Sequence, residues 1–456
     1  MVQGFARMVV KQSDAAGGVC SSLMQGYGDY IAMKGRILSV ALLLSLFAPT
    51  PLRADELVSW GQCVTETRSA HPDLYSALAI LQATEADKQI TGGALLPRLT
   101  TAFNAARDGS SSSGSGSSSF YSWSFSAQQL LFDGHKTSNQ VASNAESVKA
   151  AQFNYSAVSA NVRFALRSAF TELLKAQDLV GLTREIADRR QKNVRMINLR
   201  YQGGREHVGS LRQAQADLAQ AEFEVSQAER SLFLAQAKLS SALGRDARTP
   251  FRVKGTYLVA DPSLERPDLE LLAKNSPLFQ QLDARSKAAR YDLEASKSAF
   301  SPQLYLSSSV ARSSVDRWPF DALDWSAGLT LSVPIYEGGS GRARVSRATA
   351  VLHQQSAEEK SGYLQILDTL EASWKTFQDA RQMVGVQKKY LDAAVERSAI
   401  ANAQYSNGLI TFNDWVIIEN NLVNAKKSFL NAEANLLIAE AQWIQAKGGG
   451  LDAEKG

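Results

Sequence analysis

The sequence predicts a mainly α-helical chain with a small β part, built from one unit written twice. Three observations carry this: short motifs recurring at one spacing, alternating segments of bilayer length, and two heptad helices with the same seam. Repetition is weighed first because a fixed period changes every later reading. His71-Pro72-Asp73-Leu74 returns as Ser276-Pro277-Leu278, and Leu96-Pro97-Arg98-Leu99 as Ser301-Pro302-Gln303-Leu304, both at an offset of 205. Leu131-Phe132-Asp133-Gly134 returns as Ile335-Tyr336-Glu337-Gly338, and Tyr201-Gln202-Gly203-Gly204 as Tyr405-Ser406-Asn407-Gly408, both at 204. Chance matches would scatter the offsets. The chain therefore divides into a leader over 1–54, a first repeat over 55–259, a second over 260–447, and a flexible tail over 448–456.

Composition narrows the function classes. The chain has 456 residues, 49 Lys+Arg against 45 Asp+Glu, 45% hydrophobic and 21% charged residues, which are values of a folded protein. A net charge of +4 supplies no concentrated basic face, so no nucleic-acid partner is expected. Cys20 and Cys63 cannot build a disulfide scaffold or a four-cysteine zinc site. His71, His135, His207 and His353 lack a His-Glu-x-x-His pairing, and no Gly-x-x-x-x-Gly-Lys phosphate loop is present. No enzyme activity and no cofactor are expected. The longest apolar run, Ile37 to Ala48, is too short for a spanning helix, which needs about 20 residues.

That run follows Met33-Lys34-Gly35-Arg36 and precedes Pro49 to Ala54, the layout of a secretory signal peptide over 33–54. Residues 1–32 read as an upstream extension ahead of Met33, and Asp55 as the mature start. Without the leader the net charge falls to +1.

Each repeat then runs helix, two alternating segments, a very long helix, a Gly-containing turn and a returning helix. Strands are expected at about 98–107 and 120–131, then 302–312 and 325–335. Tyr121, Trp123, Phe125 and Ala127 alternate with Ser122, Ser124 and Ser126; Trp325, Ala327, Leu329, Leu331 and Val333 alternate with Ser326, Gly328, Thr330 and Ser332. Period two with one greasy face and one small polar face is a strand between two solvents. Each segment has about the length of a tilted transmembrane strand. The export signal and the aromatic ends (Phe120, Tyr121, Trp123; Trp318, Phe320, Trp325) point to an outer-membrane barrel with an interfacial girdle, in contact with lipid. Gly109 to Ser119 contains only Ser and Gly and reads as an exposed loop. Four strands cannot close a barrel: two copies would give eight, three would give twelve.

Long helices are expected at about 135–200 and 340–404, with returning helices at 211–243 and 414–446. Ala214, Leu218, Ala221, Val225, Ala228, Leu232, Ala235 and Leu239 form a heptad seam, repeated by Ile418, Leu422, Ala425, Phe429, Ala432, Leu436, Ala439 and Trp443. A helix of some 65 residues extends about 100 Å, longer than a globular core needs. Gly204 and Gly408 supply left-handed residues closing the long helices. Ser210, and Asn413 or Asp414, are the cap candidates for the helices that return.

The ordered set of repeats, proline-led strand starts, Phe132-Asp133-Gly134 with Tyr336-Glu337-Gly338, and Tyr201-x-x-Gly204 with Tyr405-x-x-Gly408 resembles the TolC-like outer-membrane factor family over nearly the whole mature chain. The resemblance implies a homotrimer with a periplasmic α-barrel of helical hairpins and a shared twelve-stranded β-barrel. It implies an exit duct for an efflux pump or type I secretion system, working with a periplasmic adapter and an inner-membrane pump of the RND or ABC type. Tyr405 falls where the family often has an aperture tyrosine and Asp414 where it often has a ringing acid, with Tyr201 and Ser210 their counterparts in the first repeat. Ile410 and Ser210 depart from the basic and acidic gating residues some members carry. Gly203, Gly204, Gly209, Gly408, Leu409 and Ile410 resemble the tips that meet the adapter. The rival is a periplasmic coiled-coil adapter or structural protein, which would not need four bilayer-length strands; a trimeric surface adhesin would lack the internal repeat.

Overall fold

The computed structural model describes residues 57–109, 118–246, 250–259, 266–315 and 322–452. The leader over 1–54, Asp55, most of the Ser/Gly loop, Trp318, Phe320 and residues 453–456 lie outside the described residues.

A short strand, β1 (Leu57–Ser59), leads into α1 (Trp60–Ala70) through a capping box in which Ser59 and Gln62 satisfy each other's backbone N–H groups. The recurring proline motif is a helix start. His71 caps α2 (Pro72–Gly93) and Ser276 caps the equivalent helix of the second repeat, each followed by proline at a position with no N–H to satisfy. Strands β2 (Arg98–Asp108) and β3 (Ser118–Phe132) come next, then α3 (Lys136–Gln202) and α4 (Val208–Leu243). After β4 (Arg252–Lys254) and α5 (Leu269–Asn275), the order repeats as α6 (Pro277–Ser298), β5 (Gln303–Val315), β6 (Ala322–Ser332), α7 (Ser340–Ser406) and α8 (Phe412–Ala446).

The Asp/Glu-Gly motif is the corner from strand to long helix. Gly134 and Gly338 turn there with φ of 67° and 61°. In the first repeat Asp133 Oδ2 accepts from Thr137 N at 2.8 Å and Thr137 Oγ1 at 2.5 Å, tying the corner to the first turn of α3.

The four long strands form one antiparallel sheet in the order β2-β3-β5-β6. Register places Leu99, Phe103, Trp123, Phe125, Val310, Trp325 and Leu329 on one face, where each is exposed. The other face carries Thr100, Asn104, Ser122, Ser126, Ser309 and Ser326, with the hydroxyls of Thr100 and Ser126 at 2.6 Å and those of Ser309 and Ser326 at 2.9 Å. Both edges, β2 and β6, are unpaired among the described residues. The expected run of the last strand to 335 is corrected: β6 stops at Ser332, and Val333-Pro334-Ile335 leaves the ladder. An edge strand has only one partner to hold it, and Pro334 offers no N–H.

The helices lie side by side. Away from the sheet the order is α4, α3, α8, α7; towards it, α2, α3, α6, α7. α3 and α7 each have 67 residues and serve both halves. Alanines at heptad spacing, Ala214, Ala221, Ala228 and Ala235, are all buried, which lets α4 approach α3 closely. One core gathers Cys63, Leu166, Phe170, Leu173, Leu239 and Phe251, and lies beside the parallel β1–β4 pair. A second centres on Leu370, Phe377 and Trp443, and a third on Ile197, Tyr405 and Trp415. Burial pushes the Cys63 thiol up to about 12, with Glu66 adding to the shift, so it stays protonated and unreactive.

The expected flexible tail from 448 is also corrected. Leu451 is buried in the first core, its N–H donating to Ser159 Oγ at 3.0 Å and its carbonyl accepting from Arg68 at 2.8 Å. Glycines make the threading possible: a Cβ at Gly450 would stand 2.7 Å from Ser159 Oγ.

Candidate functional site

The two hairpin tips are built by one device. At the end of α3, Gly204 N–H donates to Tyr201 O and Arg205 N–H to Arg200 O; at the end of α7, Gly408 N–H donates to Tyr405 O and Leu409 N–H to Gln404 O. This double closure needs a left-handed residue, and Gly204 and Gly408 have φ of 69° and 76°. The expected caps of the returning helices are corrected. α4 begins at Val208 and is capped by His207, whose Nδ1 accepts from Ser210 N at 3.3 Å. α8 begins at Phe412 and is capped by Thr411, whose Oγ1 accepts from Asp414 N at 3.2 Å. Ser210 and Asp414 therefore stand inside the first turn, where their N–H groups are the orphans being satisfied.

Between the tips lies a cluster centred on Tyr405. The ring is 1% exposed and stacks on Trp415 at 4.7 Å with an interplanar angle of 8°. Its hydroxyl donates to Glu206 Oε2 at 2.7 Å, and Ser210 Oγ donates to Glu206 Oε1 at 2.9 Å. The Arg200 guanidinium sits 4.6 Å from the ring centroid, and its Nη1 donates to Tyr405 O at 3.0 Å. Burial and then the Glu206 carboxylate push the Tyr405 phenol well above its ordinary range, so it remains a donor. For Glu206, partial burial acts upward, but hydrogen bonds from Tyr405 and Ser210 outweigh it and hold the carboxyl below the usual range. The first repeat thus fastens to the second by a charge-assisted hydrogen bond and a cation–π contact.

Of the aperture candidates, Tyr405 and Ser210 are brought together through Glu206. Tyr201 is 41% exposed and does not join them. Asp414 is exposed and accepts from Thr411 Oγ1 at 2.6 Å. Gly203, Gly204, Gly209, Gly408 and Leu409 are exposed at the tips, while Ile410 packs against the Tyr405 core. A cleft of about 590 Å³ opens between the tips, lined by Arg205, His207, Gly209, Ile410 and Phe412 among others.

A second polar cluster, missed by sequence reasoning, stands behind the first. Glu419 is 1% exposed and accepts from Arg189 Nε at 2.6 Å, Arg189 Nη2 at 2.9 Å and Ser398 Oγ at 2.6 Å. Asn402 links the two clusters, accepting from Trp415 Nε1 at 2.8 Å. The signal was present in Glu419, an acid set between Trp415 and Leu422 on the apolar side of the heptad pattern, at a core position. At the sheet, Trp123, Phe125 and Trp325 point to the apolar face, Trp325 at 77% exposure, and Tyr121 lies half-buried on the same face. Among the described residues no helix is long and apolar enough to cross a membrane.

A duplicated chain with two long helical hairpins and one two-faced, four-stranded sheet defines a class: the protomer of an outer-membrane channel that joins a β-barrel to a helical barrel. The chain belongs to the outer membrane efflux protein family, whose model matches residues 64–245 and again 269–449, one match per repeat. It is similar to the outer membrane efflux protein BepC of Brucella suis biovar 1 (strain 1330), at 22% identity over 308 residues; the match covers 65% of this chain and 66%, just under two thirds, of that relative. Among solved structures it resembles CusC, with a TM-score of 0.77 and 17% identity over 85% of this chain and 91% of that one. It also resembles the outer membrane protein VceC of Vibrio cholerae, with a TM-score of 0.74 and 20% identity over 85% and 96%. At those identities the likeness is one of fold.

Proposed function

We propose that the chain is the exit duct of a tripartite efflux pump or type I secretion system, assembled as a homotrimer. Three copies share a twelve-stranded barrel in the outer membrane and a helical tunnel in the periplasm. The sheet supports this most. Its apolar face suits lipid and its hydroxyl face suits water, but its two open edges are not tolerated in hydrocarbon. Closure therefore needs further copies.

The duct is passive, with energy supplied by an inner-membrane pump of the RND or ABC type. A periplasmic adapter docks at the tips, at Gly203, Gly204, Gly209, Gly408, Leu409 and Ile410. The fastening of Tyr405 to Glu206 and Arg200 holds the aperture closed, and adapter binding draws the tips apart. Asp414 of three copies places three carboxylates near one axis, which attracts cations to the opening. The test is extraction and conductance. Outer membranes are expected to retain the chain through a carbonate wash, and the detergent-extracted protein to conduct in planar bilayers. Release by carbonate would overturn the barrel reading in favour of a periplasmic coiled-coil protein.

A further inference from the structure

The two repeats share a fold but not the charge at one corner. Where β2, β3 and β5 meet the end of α2 and the start of α3, a cleft of about 560 Å³ opens. It is lined by Arg98 and Lys136, by the apolar Ile90 and Leu96, and by Gln303 and Tyr305 from the second repeat. The cleft lies on the hydroxyl face of the sheet. Arg98 pairs with Gln128 and Tyr305 with Leu130, each an even number of residues along its strand from Thr100, Ser126 or Ser309.

Nothing in the fold uses either cation. The side chains of Arg98 and Lys136 have no ion-pair or hydrogen-bond partner among the described residues. Like charges sharing one cleft repel each other. The Asp133 carboxylate also lines the cleft, but it is buried and accepts from Thr137 N and Oγ1. The second repeat builds the same strand-to-helix corner without the pair. At the offsets of 205 and 204 the equivalents of Arg98 and Lys136 are Gln303 and Ser340. The cation it does carry there, Arg344, stands at the place of Gln140 and is paired with Glu337.

Beside these charges Ile90 and Leu96 are 74% and 65% exposed. An apolar body laid over them removes that surface from water. Arg98 and Lys136 can donate charge-assisted hydrogen bonds to an acidic head group. The Tyr305 hydroxyl donates to Gln303 Oε1 at 3.2 Å, which leaves Gln303 Nε2 as a further donor. The volume is that of a small-ligand site.

We propose that this cleft binds an amphipathic organic anion, an apolar body carrying a sulfonate, carboxylate or phosphate head. The inference rests on the duct reading, which makes the hydroxyl face the water side and the occupant a passenger rather than a lipid. The cleft holds such a passenger at the helix-side end of the barrel, before the stretch walled by serine and threonine.

The test uses the full chain in phosphatidylcholine nanodiscs, with naphthalenesulfonate as the probe, measured by equilibrium dialysis against empty discs. Saturable binding is expected, and the neutral naphthalenemethanol should bind about tenfold more weakly. Arg98→Gln with Lys136→Ser copies the residues of the second repeat. It should weaken sulfonate binding by about tenfold, leaving naphthalenemethanol binding and the thermal midpoint unchanged. Sulfonate binding that is absent, or that the double substitution leaves intact, overturns the site. Discs with added phosphatidylglycerol should leave binding as it is; its loss there would make the occupant a lipid head group and overturn the passenger. The same preparation is assayed for conductance in planar bilayers. Probe bound without any conductance refutes the duct and the passenger with it, whereas conductance without binding refutes the cleft alone.

Discussion

Tyr405→Phe removes one atom from the fastening between the tips and leaves the rest. The stack on Trp415 at 4.7 Å and the Arg200 contact survive, because both use the ring. What is lost is the 2.7 Å hydrogen bond from the phenol to Glu206. A hydrogen bond to a charged group contributes about 1.5–3 kcal/mol when sheltered. Glu206 is only half-buried, and water can replace the lost donor, so the lower end applies, about 1–1.5 kcal/mol per chain. One such step changes a two-state equilibrium by about five- to tenfold. In planar bilayers the substituted channel should therefore show open or subconductance states at least several-fold more often than the parent. Glu206→Ala should produce a similar change, and the double variant little more than either alone, because both remove the same bond. Unaltered gating in Tyr405→Phe, or full additivity in the double variant, would show that the phenol–carboxylate bond does not hold the aperture.

Glu419→Ala strands the Arg189 guanidinium beside a buried void and should destabilise the chain by about 3 kcal/mol, read as a lowered thermal midpoint, with Glu419→Gln milder. Gly134→Ala should cost several kcal/mol in the same measurement, since its φ is 67° and a Cβ would stand 2.2 Å from Ser301 Cβ. Gly408→Ala, at φ 76° with open space around it, should cost only the left-handed strain of about 1 kcal/mol. The depressed Glu206 carboxyl stabilises the tip above the unfolded carboxyl value of about 4.3, and that contribution is lost as pH falls through the lower folded value. Channel gating should thus be steady from neutral pH to about 5, loosen in stronger acid, and lose its acid dependence in Glu206→Gln.

What the sequence made legible was what has a period. The serine–aromatic alternation of Tyr121 to Phe125 and the alanine seam of α4 repeat at spacings that only a strand and a paired helix satisfy. The fastening at the tips was legible in part. Tyr405 stood out by its repeat partner, but Glu206 has no periodic signature, and its role depends on the second tip arriving from some 200 residues away. His207 was passed over as a cap because hydroxyl and carboxylate side chains dominate that position, whereas an extended residue with an imidazole nitrogen serves as well. Val333 to Ile335 continues the strand alternation, yet a strand also needs a neighbour, and among the described residues the ladder with β5 ends at Gln303 opposite Ser332.

The hydroxyl face of the sheet has a consequence for what travels past it. From Thr100 to Asn104, Ser122 to Ser126 and Ser307 to Ser309 it offers short neutral groups, several already bonded to each other across the strands. The charged residues Arg98 and Asp324 stand near its two ends. Between those ends, among the described residues, the wall offers only short neutral groups and no charge to sort a passenger. In the proposed duct, a molecule passing that stretch meets a slick, neutral surface. Choice of cargo in such a duct is then left to whatever loads the other end.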